Sequence, residues 1–224
     1  MKQRIKIDTS LLLLILLFTG FLCLNKHLYV ANHTWDRVMD FLGMIVMMKG
    51  VLLRMSARGH KRMRSQQGRQ LVTTGPYALV RNPMYLGSFM VGMGFLLIVW
   101  PWWSLPIFAV FFYLRFNKQI VEEEKYLTRL FGEEFTRYCQ KTPRLIPSWR
   151  SVRGLKTKGI FNAREAFSTT ERRGLWAWPL LAVGLETVQE TFVFGSTDVF
   201  GVLEVFAAAI LALAIALWAA CQYD

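Results

Sequence analysis

The amino-acid sequence predicts an all-α fold, a polytopic membrane helical bundle of about six transmembrane helices. Three observations predict it. Hydrophobic residues make up 54% of the 224 positions against 19% charged, and they gather in blocks rather than spreading evenly. Lys and Arg, which bring the formal charge to +12, crowd into the connections between those blocks. Trp and Tyr sit at block edges, as at membrane interfaces.

The first block, Leu11 to Leu24, is lengthened by Ile5 and Ile7 before it and by Leu28 to Ala31 after it. Lys2, Arg4 and Lys6 would hold its start on the cytoplasmic side. A cleaved signal peptide is the competing reading, although no small-x-small cleavage site follows clearly. A second span runs from about Val38 to Leu53, with Lys49 able to snorkel. The third runs from Met84 to Trp100, and Pro101-Trp102-Trp103 turns the chain into a fourth, Leu105 to Phe116. From Asn117 to Phe135 apolar residues recur every three or four positions, an amphipathic helix that continues the fourth span into the cytoplasm. Pro143 and Pro147 end it. Two further spans, Leu175 to Phe194 and Val199 to Ala220, follow a basic stretch from Ser148 to Arg173. Six spans return both termini to the cytoplasm. Three regions result: 1–70, two helices and a basic connection; 71–147, a hairpin with its cytoplasmic helix; and 148–224, a basic connection and two helices.

The basic clusters, Arg54 to Arg69 and Arg137 to Arg173, set topology and meet anionic headgroups, so the expected partners are membrane lipids and not nucleic acid. Cys23, Cys139 and Cys221 are too far apart for a disulfide framework, and His27, His33 and His60 make no metal-ligand spacing. No metal is expected. Nothing in the chain indicates an oligomeric state.

Chemistry concentrates in two polar blocks that bracket the central hairpin: Gly75-Pro76-Tyr77 with Arg81 to Gly87, and Glu122-Glu123-Glu124 through Pro143-Arg144. Polar groups beside hydrocarbon are costly unless paired or facing a cavity. Asn82-Pro83 suits a helix start, whose free N–H groups favour an anion. Arg81 adds a fixed cation, and Tyr77 and Tyr85 add ring faces. The three acids span about 200° of a helix, so at least one should turn toward the first block. Together these groups suit a zwitterionic, partly aromatic ligand such as S-adenosylmethionine. The plain alternatives are an interfacial Arg/Tyr anchor and a solvated acidic face.

Gly75-Pro76-Tyr77, Val80 to Gly87, Glu123-Glu124, Leu127, Phe131-Gly132, Tyr138 and Pro143 to Pro147 resemble the signature of the isoprenylcysteine carboxyl methyltransferase and phospholipid methyltransferase superfamily. The resemblance covers Leu71 to Pro147; Asn82 and Phe135 stand where the motif often has His and Tyr. It implies an enzyme with a cytoplasm-facing S-adenosyl-L-methionine pocket and a lipid-like or amphipathic methyl acceptor arriving from the bilayer. By motif position Tyr77, Arg81, Asn82, Pro83, Tyr85, Gly87, Glu123, Glu124 and Tyr138 contact the cofactor, while Glu122 and Arg144 orient the acceptor.

The acceptor stays open among a carboxyl, as in the isoprenylcysteine enzymes, an ethanolamine-phospholipid nitrogen and a thiol. An NADPH-dependent membrane sterol reductase and a non-enzymatic membrane protein are the readings of other classes. Glu186 and Glu190, four apart in the fifth span, are read either as interhelical hydrogen-bonding groups or as recognition of a cationic headgroup.

Overall fold

The computed structural model describes residues 17–22, 24–29, 32–148, 160–193, 195 and 198–223. Among these, every regular element is helical: α1 (His33–Arg64), α2 (Pro76–Leu79), α3 (Pro83–Val99), α4 (Ser104–Phe131), α5 (Glu133–Lys141), α6 (Ala163–Phe167), α7 (Gly174–Val193) and α8 (Val199–Tyr223). Lys2, Arg4, Lys6, residues 11–16 and Cys23 of the Leu11 to Leu24 run, and residues 149–159 of the basic stretch after Ser148 lie outside the described residues. Among the described residues, one helix, at Val199–Ala219, is long and apolar enough to cross a membrane; Pro83–Val99 is apolar but shorter.

Asn32 starts α1 by accepting hydrogen bonds from the backbone N–H groups of Thr34 and Trp35 at 3.0 and 3.2 Å, which satisfies two otherwise orphaned donors. The helix does not stop at Leu53. It runs through the basic cluster to Arg64, because no proline interrupts it and Lys61, Arg62 and Arg64 complement the negative end of its dipole. At about 1.5 Å per residue its 32 residues reach roughly 48 Å, beyond a hydrocarbon core of about 30 Å.

Helix α3 packs antiparallel against α1 at very close range. A Cβ on Gly94 would stand 2.4 Å from the Gly43 carbonyl oxygen, and one on Gly87 2.8 Å from that of Gly50. Around this contact lies a core rich in methionine, with Met44, Met47, Met48 and Met55 of α1 beside Val91 and Ile98 of α3 and Val202, Phe206 and Leu213 of α8. Flexible thioethers fill the gaps left by the glycines. The Trp100–Trp103 turn leads into α4, held to α3 by a ring ladder: Phe89 to Phe112 at 5.1 Å, Phe112 to Phe116 at 4.4 Å and Tyr85 to Phe116 at 5.5 Å between centroids. Thr19, from the first apolar block, accepts a hydrogen bond from Trp100 Nε1 at 2.9 Å, which ties that block to the hairpin turn. Helix α4 continues unbroken to Phe131, and Gly132, at φ 53°, turns the chain into α5. That left-handed conformation is the reason for glycine there.

Residues 160–173 dock on the basic end of α1. Arg54 donates to Glu171 at 3.0 Å, Arg58 also pairs with Glu171, Ser56 donates to the Ile160 carbonyl, and Arg62 donates to the Ser168 carbonyl at 3.2 Å. The cluster read as lipid-facing is thus partly spent on internal pairing. Burial pushes the Glu171 carboxyl up, but Arg54 and Arg58 outweigh it and hold the group below its ordinary 4.5. A pKa depressed by folding stabilises the fold above the unfolded value, and the gain disappears as pH falls through the folded value. Wild type is therefore expected to keep this clamp at neutral pH and lose it progressively below pH 4.5. Thermal unfolding midpoints taken down to about pH 3 should show wild type and Glu171→Gln converging; a constant gap would remove Glu171 as the acid-sensitive group.

Candidate active site

The two polar blocks meet where α3 begins and α4 leaves the hairpin. Gly75 takes φ 61° ahead of Pro76, which opens α2, and a side chain there would run into the His60 ring at 2.8 Å. His60 is buried, with Nδ1 3.0 Å from Glu165 Oε2 and Nε2 3.0 Å from Thr74 Oγ1, so α1, α6 and this turn are locked together. The Arg81 N–H donates to the Pro143 carbonyl at 2.8 Å, Asn82 Nδ2 to that of Arg144 at 3.2 Å, and the Tyr138 hydroxyl to that of Tyr77 at 2.6 Å. These bonds fasten the first block to the second.

Glu124 is the acid that turns inward. It is 9% exposed and accepts from Arg144 Nη2 at 2.6 Å. Asn82 Nδ2 approaches it at 3.4 Å and Arg81 Nε at 3.6 Å. Arg81 Nε is itself buried without a hydrogen-bond partner. A cavity of about 140 Å³ opens beside this cluster, lined by Tyr77, Arg81, Asn82, Glu124 and Tyr138, by Leu127, Leu130, Phe131 and Phe135, and by Lys61 and the Ser65 to Val72 connection. Burial pushes the Tyr77 and Tyr138 hydroxyls up; the charge of Glu123 adds to the rise for Tyr77, and Tyr77 itself adds to it for Tyr138. Both stay protonated donors at neutral pH.

The other expected residues fall elsewhere. Glu123 is exposed and accepts from the Tyr85 hydroxyl at 2.7 Å, outside the cavity lining. Pro83 is buried as the first residue of α3. Gly87 serves helix packing, since a Cβ there would meet Arg54 Cγ at 2.7 Å. Glu122 is exposed and lies about 200° around α4 from Glu124. Glu186 and Glu190 are buried far from the cavity, beside Asp36 and Asp40 at the other end of α1. Lys61, Gln70, Leu71 and Val72 were not expected in the lining. For Gln70, Leu71 and Val72 the one sequence signal was position, shortly before Gly75-Pro76; Lys61 comes from the last turn of α1.

Fold and site together define a membrane-associated helical chain with a polar, aromatic-walled cleft at the base of a hairpin. Residues 38–134 match the phospholipid methyltransferase family. The match begins within α1, ahead of Leu71. The protein-S-isoprenylcysteine O-methyltransferase of Schizosaccharomyces pombe is 36% identical over 77 residues, 34% of this chain and 33% of the relative. Protein-S-isoprenylcysteine O-methyltransferase B of Arabidopsis thaliana is 28% identical over 125 residues, 55% of this chain and 62% of the relative. The delta(14)-sterol reductase TM7SF2 of Mus musculus is 30% identical over 102 residues, 41% of this chain and 22% of the relative. The chain spans 33% and 62% of the two methyltransferases' own length. No solved structure matches it.

Proposed function

We propose that this protein is a six-span membrane methyltransferase that uses S-adenosylmethionine, holds it in the Arg81–Glu124 cleft on the cytoplasmic face, and methylates a lipid-like acceptor, by preference a carboxyl as in isoprenylcysteine. The observation that carries the reading is the pairing of opposite charges with aromatic walls in one cleft. A buried guanidinium nitrogen without a hydrogen bond, Arg81 Nε, stands beside a carboxylate, and both charges of an amino-acid moiety are thereby matched. The residues fit the cofactor. When bound, S-adenosylmethionine supplies a methyl carbon on a cationic sulfur, open to an oxygen, nitrogen or sulfur lone pair.

Arg81 and Lys61 would take the cofactor carboxylate, Glu124 its ammonium or ribose hydroxyls, and Tyr77, Phe131 and Phe135 its base. Arg144, with its side chain 43% exposed while bonded to Glu124, stands at the cleft rim, where it can orient an acceptor carboxylate. A carboxylate acceptor needs no base, so alignment in a dry site supplies most of the rate. We assign acceptor orientation to Arg144 rather than Glu122, which faces away. The name of one relative favours sterol reduction as the second reading; calorimetry with S-adenosylmethionine and NADPH side by side separates the two.

Protein in lipid nanodiscs is expected to bind S-adenosylhomocysteine, and Arg81→Ala to weaken binding about ten- to a hundredfold, since a hydrogen bond to a charged group contributes roughly 1.5–3 kcal/mol. Mass spectrometry of extracts incubated with deuterated methyl donor should place the label on a carboxyl. Label on nitrogen or sulfur would change the acceptor; absence of both binding and label would end the methyltransferase reading.

A further inference from the structure

At the end of the bundle opposite the cleft, Asp36 and Asp40 of α1 face Glu186 of α7. One carboxylate oxygen from each lies within 4.8 Å of those of the other two. Asp40 is 3% and Glu186 0% exposed, so these charges are removed from bulk water. Repulsion among three carboxylates at that range is severe in a low-dielectric interior. The surrounding groups relieve it only in part. Arg37 pairs with Asp198 at 3.2 Å, and among the described residues no ion pair reaches Asp40. His33 acts on Asp36 and Glu190 through its field, and the Gln189 amide, turned to suit its neighbours, donates to both Glu186 oxygens at 2.7 and 3.0 Å.

A second observation points to a ligand. Asp40 Oδ1 is buried with no hydrogen-bond partner, and so is Glu190 Oε2, one turn beyond Glu186. Buried acceptors of this kind are rare in folded proteins. A cavity of about 30 Å³, lined by Asp36 and Gln189 together with Trp35 and Trp100, adjoins one edge of the cluster.

We propose that Asp36, Asp40 and Glu186 bind one hard divalent cation of the size of Ca²⁺, which clamps α1 to α7. The donors are all carboxylate oxygens, the set that suits Ca²⁺, Mg²⁺ and Mn²⁺ rather than thiophilic metals. Three oxygens no more than 4.8 Å apart share a centre at most about 2.8 Å from each, so a small inward shift of the side chains reaches the Ca²⁺ range of about 2.3–2.6 Å. The sequence expectation of no metal rested on spacing along the chain, whereas these ligands come from two helices far apart in it. The site lies about 30 Å along α1 from Lys61, so it does not depend on the methyl-transfer reading.

The test uses the full chain in nanodiscs of zwitterionic lipid, stripped with chelator at neutral pH. Ca²⁺ is expected to raise the unfolding midpoint saturably, by roughly 5–10 °C at a hundredfold excess over its dissociation constant. Asp40→Asn and Glu186→Gln should each abolish that rise, yet unfold without metal at or above the wild-type temperature because a like charge is gone. Mn²⁺ added alone to wild type should give an immobilised electron-spin-resonance signal of one ion per chain, which Ca²⁺ displaces; this holds even if a variant fails to fold. A midpoint indifferent to Ca²⁺ with no bound Mn²⁺ would overturn the proposal in favour of carboxyls sharing protons. A rise that persists in both variants would overturn it equally, by placing the ion elsewhere.

Discussion

Glu124→Gln is expected to lower S-adenosylhomocysteine affinity by about thirty- to several-hundredfold and methyl transfer at least as much, while Glu122→Gln stays near wild type. Glu124 is the common acceptor of Arg144 at 2.6 Å and Asn82 at 3.4 Å, with Arg81 Nε at 3.6 Å. A neutral amide of the same shape leaves Arg81, whose side chain is 16% exposed, as an uncompensated charge. Breaking a buried pair costs about 3–5 kcal/mol; Arg144, 43% exposed, recovers hydration, so roughly 2–3.5 kcal/mol is the appropriate scale. That loss appears as cofactor affinity, because the freed guanidinium swings out of the position that meets the ligand carboxylate. Titration calorimetry on both variants reads the difference, with unfolding midpoints recorded to separate lost binding from lost fold. Equal and small effects at the two acids would remove the Arg81–Glu124 cleft as the cofactor site.

Much of this arrangement was legible in the sequence, and the reasons differ by element. Pro83 after Asn82 marks the start of α3 because proline suits a first turn and restrains the residue before it. Trp100-Pro101 marks the hairpin turn, and the bracketing of that hairpin by two polar blocks places Arg81, Asn82, Glu124, Tyr138 and Arg144 at one end. Which of three adjacent acids faces inward is not a pattern property: it depends on the phase of α4, which the Phe112–Phe116 ladder against α3 sets. The basic run after Leu53 was ambiguous for a similar reason. Lys and Arg at a helix end favour both lipid headgroups and the helix dipole, and here Glu171 pairs with Arg54 and Arg58, and Glu165 with Arg64, from more than a hundred positions away. Glu186 was recognised as costly, but its partners Asp36 and Asp40 lie across the bundle, where periodicity within one helix carries no information.

Gly94→Val is expected to prevent folding altogether, and Gly94→Ala to lower stability by at least about 3 kcal/mol, above the roughly 1–3 kcal/mol usual for overpacking. The reason is what the new carbon meets. At Gly94 a Cβ would lie 2.4 Å from the Gly43 carbonyl oxygen and 2.5 Å from the Met47 backbone nitrogen, and backbone of a packed helix cannot move aside as a side-chain tip can. The contact is reciprocal: Gly43 and Gly50 of α1, seven apart, meet Gly94 and Gly87 of α3, also seven apart, so at two levels each helix presents backbone directly to the other. Close approach of this kind is how helices associate where lipid offers no hydrophobic contrast. It also fixes the site, since separating α1 from α3 would pull Lys61 and the Ser65 to Val72 connection away from Arg81 and Asn82. Gly184→Ala in α7 is the matched control: nothing lies within 4 Å of its Cβ, and alanine gains about 0.5–1 kcal/mol over glycine inside a helix. Thermal unfolding in nanodiscs should therefore move the two alanine variants in opposite directions, with methyl-donor binding following Gly94→Ala downward and unaffected by Gly184→Ala. A Gly94→Ala protein that unfolds at the wild-type temperature would mean that the α1–α3 contact is looser than the glycine spacing requires.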